Sequence, residues 1–158
     1  MKKLIIPAVA TLAYCFCACD STPKYLEYQG ISMGLNAKAF TDSLVKRGLV
    51  VDTTNHDAAK VMLYKPGTAM RVVVTVQDSL ISTVQESYEA TYNDSTRNLF
   101  KEHYDRMLKE LSPHPEMPKN AEDHKEARFQ TDEGMVTLIL ENTYTPQFGI
   151  LYENKKKE

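Results

Sequence analysis

The sequence predicts an α+β domain in which an antiparallel sheet carries two helices packed on one face. Three observations predict it. Apolar residues recur at helical spacing in two segments: Ala37, Phe40, Leu44 and Val45, and later Leu99, Phe100, His103, Tyr104, Met107, Leu108 and Leu111. The intervening segments alternate apolar and polar residues with a period of two, the pattern of strands buried on a single face. Turn residues separate those runs, at Pro66-Gly67, Asp78-Ser79 and Asp132-Glu133-Gly134.

Each element has its own local reason. Tyr25 to Ile31 reads as a first strand. Asn36 caps the first helix, Leu35 and Phe40 are placed as a hydrophobic staple, and Gly48 lies just past the end. Four β runs follow, Leu49 to Thr53, Lys60 to Lys65, Thr68 to Gln77 and Leu80 to Tyr88. Asp94 or Ser95 caps the second helix, which Pro113, Pro115 and Pro118 terminate. A charged connection leads to Lys125 to Thr131, a run from Met135 to Asn142, and a last strand from Phe148 to Glu153. Helix followed by antiparallel meander thus occurs twice, which points to a tandem helix-plus-β-meander repeat.

The N-terminus carries a different signal. Lys2 and Lys3 precede an uncharged apolar run from Leu4 to Ala18, the layout of a signal peptide. That run is short of the roughly 20 residues a membrane-spanning helix needs, and Pro7 interrupts it. Phe16, Cys17, Ala18 and Cys19 resemble the lipobox of bacterial lipoproteins, where a small residue precedes a cysteine that is acylated and becomes the new N-terminus. Ala18 matches the pattern; Phe16 and Cys17 depart from its usual aliphatic-then-small pair. The chain therefore divides into a signal peptide at 1–18, a lipidated cysteine and tether at 19–24, one domain at 25–153 and a charged tail at 154–158. The expected address is the cell envelope, lipid-anchored, at the outer membrane.

Composition narrows the chemistry. All three cysteines (Cys15, Cys17 and Cys19) sit in the leader segment, so the domain has no disulfide, thiol nucleophile or thiolate metal site. Losing residues 1–18 leaves 140 of the 158 residues, enough for one real core. Losing Lys2 and Lys3 changes 19 basic against 21 acidic side chains to 17 against 21, a net of about −4 that gives nucleic acid no reason to bind. Lys155, Lys156 and Lys157 form a solvated tail.

Gly30-Ile31-Ser32-Met33-Gly34, followed by Phe40, Leu44, Gly48 and Leu49, resembles the opening of small Bacteroidales-type lipoproteins of uncharacterised function. The helix-then-meander order is also loosely similar to β-lactamase-inhibitor-type domains and to small outer-membrane assembly lipoproteins. Those bind other proteins, so the resemblance implies a protein-binding role and supplies no active site to carry over.

Catalytic motifs are thin. His114, Asp123 and His124 near Glu122 could be drawn as a metal site, but they lack the fixed helical spacing of a zinc motif, so no metal or other cofactor is expected. His103 falls on the apolar stripe of the second helix and reads as a packed histidine, and His56 beside Asp57 as turn chemistry. With no nucleophile elbow, P-loop or H-E-x-x-H, no catalytic residue is assigned. The expected function is a non-enzymatic, membrane-anchored envelope lipoprotein that binds a protein or glycan. The alternative is a hydrolase or metal-dependent enzyme built on the His114 and His124 region.

Two further patterns bear on function. Asp followed by Ser or Thr and then Thr or an aliphatic residue occurs at Asp20, Asp42, Asp52, Asp78 and Asp94, resembling an O-glycosylation acceptor, with Ser21 and Ser79 the first candidates. Turn and cap preferences explain several of these aspartates without a sugar. Strand alternation sets Met70, Val72, Val74 and Val76 against Arg71, Val73, Thr75 and Gln77, and Leu80, Val84 and Tyr88 against Thr83, Gln85 and Ser87. Ala127 and Phe129 likewise oppose Glu126, Arg128 and Gln130, so the solvent face should present Arg71, Gln85, Arg128 and Gln130 as a polar recognition surface. Cys19→Ala is expected to leave an unprocessed or misdirected precursor that takes up no fatty acid; radiolabelled palmitate still entering the variant would refute the anchor.

Overall fold

The structure is a computed structural model that describes residues 24–54, 59–112 and 114–155. The expected signal peptide at 1–18, Cys19, Ser21, His56, Asp57, Pro113 and Lys156 to Glu158 lie outside the described residues. Two short strands, β1 (Glu27–Tyr28) and β2 (Ile31–Ser32), form a hairpin, and helix α1 (Ala37–Lys46) follows. Strands β3 (Val50–Val51), β4 (Lys60–Tyr64), β5 (Met70–Gln77) and β6 (Leu80–Glu89) make one meander. Helix α2 (Asn93–Glu110) then leads to β7 (Glu116–Ala121), β8 (His124–Gln130), β9 (Gly134–Glu141) and β10 (Gln147–Asn154). All eight of these strands join one antiparallel sheet in the order β3-β4-β5-β6-β10-β9-β8-β7.

The α+β class stands, with the two helices on one face. Phe40 and Leu44 of α1 and Phe100 and Met107 of α2 enter the same buried cluster as Val72, Val74, Val84, Leu138 and Ile150 of the sheet. The Asn36 side chain accepts from the Ala39 amide at 2.9 Å, as its place at the helix start predicts. Leu35 and Val45 remain exposed, so the buried stripe of α1 is narrower than its apolar content. Helix α2 begins with Tyr92 in the cap position and no side-chain cap; Asp94 instead lies in the first turn, where its charge complements the helix dipole.

Four local differences have physical causes. The expected first strand is split by a turn at Gln29-Gly30, both at positive φ (51° and 69°), the primed geometry that matches strand twist. The expected connection after α2 is strand β7, and Pro118 is tolerated there because β7 is an edge strand whose register shifts between Glu116 and Lys119. In β6 a register shift beside Ser82 places Ile81 inward, 1% exposed, and leaves Leu80 half-buried. Pro66 and Gly67 do form the tight turn: the Thr68 amide donates to the Lys65 carbonyl at 3.2 Å, and Gly67 has the φ of 73° that a type II turn requires.

The β5–β6 turn has non-glycine residues in the left-handed region, Asp78 at φ 52° and Ser79 at φ 67°. Asp tolerates that conformation better than Ser does. Ser79→Gly should therefore stabilise the fold by about 0.5–1 kcal/mol in urea unfolding. A loss of stability in that variant would show that the Ser79 side chain makes a contact outweighing its backbone strain.

Candidate functional site

The inward alternation of β6 runs Val84, Glu86, Tyr88, and so sends one carboxylate into the buried face of the sheet. Glu86 is 4% exposed, between Val72 on β5 and Ile150 on β10. A buried carboxylate must be hydrogen-bonded to persist. Tyr28, carried over the sheet by the β1–β2 hairpin, donates its hydroxyl to Oε2 at 2.5 Å, and Tyr88 donates to Oε1 at 2.5 Å. Tyr152 on β10 packs edge-on against Tyr28 with ring centroids 5.2 Å apart.

The carboxylate forms part of the floor of a cleft of about 850 Å3 between the hairpin, the inner face of the sheet and the C-terminal half of α2. His103, Arg106 and Glu110 line the α2 wall; Tyr88, Val136 and Tyr152 line the sheet side. Lys24, where the described chain begins, stands at the rim with Glu27 and Glu133. The hairpin is tied down from its other side, since the Leu26 amide donates to Asn154 Oδ1 at 3.0 Å and Asn154 Nδ2 donates to the Ile81 carbonyl at 2.8 Å. The cleft wall is thus held by polar contacts at both ends.

Electrostatics follow from burial. Desolvation first, and the nearby Glu86 charge second, push the hydroxyls of Tyr28 and Tyr152 far above the ordinary tyrosine value. Tyr88 is raised as well, by desolvation and then by its hydrogen bond to Glu86. All three hydroxyls therefore remain protonated donors across the physiological range. Burial, and then the Arg106 charge, hold the His103 imidazole below its ordinary value, with Arg106 Nη2 2.7 Å from His103 Nδ1. The cleft can thus bind through charge, aromatic faces and hydroxyls.

A second polar network anchors α2 to the far half of the sheet. Buried Thr96 donates to Asn142 Oδ1 at 2.7 Å, Asn142 Nδ2 donates to Asp123 Oδ1 at 3.0 Å, and Arg97 reaches the same oxygen through Nε and Nη2. The hydrogen bond from Asn142, then those from Arg97, hold the Asp123 carboxyl below its ordinary value. Its role is to fix the start of α2 over the β7–β8 turn.

The residues singled out from sequence fall elsewhere. His114 and His124 stand at opposite ends of the β7–β8 hairpin: Ala121 faces His124 while Glu116 faces Arg128, a separation of more than about 13 Å at 3.3 Å per residue. His124 pairs with Glu141 at 2.9 Å, and no group of three or more metal-ligating side chains gathers among the described residues. Arg71, Gln85, Arg128 and Gln130 do share the outer sheet face, but Arg71 and Arg128 are four strand spacings apart, about 19 Å. Arg128 is held by Glu126 at 2.6 Å and Gln130 by the Gly134 carbonyl at 3.1 Å. Between them the face mixes polar Gln85, Ser87 and Thr137 with apolar Ile139, Leu151 and Met135. Ser79 is exposed at a hairpin tip.

Comparison of the chain with protein-family models, with curated proteins and with solved structures finds no match. No helix among the described residues is long and apolar enough to cross a membrane.

Sequence reasoning missed Glu86, Tyr28 and Tyr152. The available signal was Glu86 itself: a charged residue at an inward position, with Val84 and Tyr88 two residues to either side. If the Glu86 network serves binding rather than stability, then Glu86→Leu with Tyr28→Phe and Tyr88→Phe should be as stable as the native chain or more so, whereas Glu86→Leu alone should lose about 2–4 kcal/mol. A triple variant as unstable as the single one would make the network structural.

His103 supplies a pH signature. Its folded-state affinity for a proton is depressed, so the stability it contributes is complete above the ordinary histidine range, near pH 6.5, and is lost as pH falls below it. Urea midpoints should drop between about pH 7 and pH 5, less steeply in His103→Gln; equal slopes would show that His103 carries none of the pH dependence.

Proposed function

We propose that this chain is an exported lipoprotein, acylated on Cys19, whose single domain binds a protein or glycan of the envelope without catalysing a reaction on it. The cleft between β1–β2 and α2 is the binding site in this proposal. One observation carries it: a buried carboxylate, Glu86, lines the cleft beside Tyr88 and Tyr152 and is bonded by Tyr88 and by Tyr28, an arrangement a purely structural core does not require. A buried charge kept at a cleft marks a place where structure serves recognition.

The position of the cleft agrees with an anchored binding protein. Lys24 at the rim is five residues beyond Cys19, so the chain spans at most about 18 Å between the lipid and the cleft mouth. The outer sheet face is the weaker place for a partner, because Arg128 and Gln130, two of the four residues expected to recognise one there, are occupied by intramolecular bonds.

Affinity capture by the full-length lipidated chain from its own envelope tests the reading. Glu110→Lys with Glu133→Lys reverses charge at the cleft rim, and should abolish retention of the partner while shifting Tm by no more than a few degrees. A partner that survives this change and is lost on Arg71→Glu with Arg128→Glu would move the site to the outer sheet face.

A further inference from the structure

We infer that the cleft receives the ammonium group of a lysine side chain presented by an extended segment of an exported polypeptide. The inference rests on the binding role proposed above and names the chemistry of the ligand.

Charge is the first argument. Four carboxylates line the cleft, from Glu27, Glu86, Glu110 and Glu133, against two fixed cations, Lys24 and Arg106. Arg106 bonds within its own helix, 3.9 Å from Glu110 and 2.7 Å from His103 Nδ1, and its charge also reaches Tyr88 and Tyr152, so the lining keeps an excess of two carboxylates over cations. The remaining field favours a cation.

Hydrogen-bonding capacity is the second. A carboxylate offers about four acceptor positions, and Tyr28 and Tyr88 take one on each oxygen. Each oxygen thus keeps a position to which a compact ammonium can donate singly. The Tyr152 hydroxyl makes no hydrogen bond within the described residues, and its ring and that of Tyr88 line the same space, adding aromatic attraction for a cation.

Size is the third. A space of about 850 Å3 far exceeds one ammonium and its aliphatic stem. It falls within the range of sites that enclose a drug-sized ligand, so a lysine within a peptide fills it better than a free amine does.

The test titrates the full chain in detergent with N-acetyl-lysinamide, its neutral isostere N-acetyl-norleucinamide, and an extended pentapeptide with a central lysine. The lysine compound should bind at least about tenfold more tightly than norleucine, and the pentapeptide more tightly still. Glu86→Gln should lose at least about tenfold for both lysine ligands and leave the norleucine compound unchanged. Should that variant fail to fold, N-acetyl-lysinamide added to the native chain should still shift the ring resonances of Tyr28, Tyr88 and Tyr152, and rings that do not respond overturn the inference.

Equal binding of the lysine and norleucine compounds overturns it as well, as does binding that ignores Glu86. Association only with aminophospholipid vesicles overturns it too. A cleft that takes an oligosaccharide or a neutral peptide but no lysine defeats this inference alone, whereas a native partner lost only with the outer-face variants defeats the binding site on which it rests.

Discussion

The carboxylate of Glu86 sets a constraint that much of this structure answers to. Sheet alternation sends it into the buried face, where a charge without partners would cost several kcal/mol. Tyr88 lies two residues away on the same strand and supplies one hydroxyl; the other must come from across the sheet. Tyr28 of the docked N-terminal hairpin meets that need, and the cleft is the space left between hairpin and α2.

The two polar networks divide the molecule's work. The Thr96, Asn142, Asp123 and Arg97 group holds the start of α2 against the outer half of the sheet, with all its members bonded to one another. The Glu86 group lies at the other end of the same helix and keeps acceptor positions in hand. Satisfied networks rigidify the elements they join. In the proposed reading the first network serves architecture alone, while the second holds the hairpin and also faces the proposed binding cleft.

Much of the fold was legible because local rules agree with tertiary ones. The Asn36 cap, the Pro66-Gly67 turn and the alternation of Met70, Val72 and Val74 each state in sequence what packing later enforces. Strand β7 was not legible, since Pro118 argues against a strand and only its place at the sheet edge, a tertiary fact, removes the objection. The Ile81-for-Leu80 exchange was hidden for a similar reason: both are apolar, and a register shift rather than composition chooses between them. The candidate site was illegible as a set because Tyr28, Glu86 and Tyr152 are separated by 58 and 66 positions in the chain and converge only through strand order. The histidines drew attention in sequence because their chemistry is versatile, yet the hairpin holds His114 and His124 apart.

The central claim is that the hairpin is held through Tyr28 and Glu86. A double-mutant cycle in urea unfolding, with Tyr28→Phe, Glu86→Gln and the pair, measures it most directly. A hydrogen bond to a charged group predicts a coupling of about 1.5–3 kcal/mol. A coupling within about 0.5 kcal/mol of zero would contradict it, leaving the hairpin docked by its apolar contacts alone.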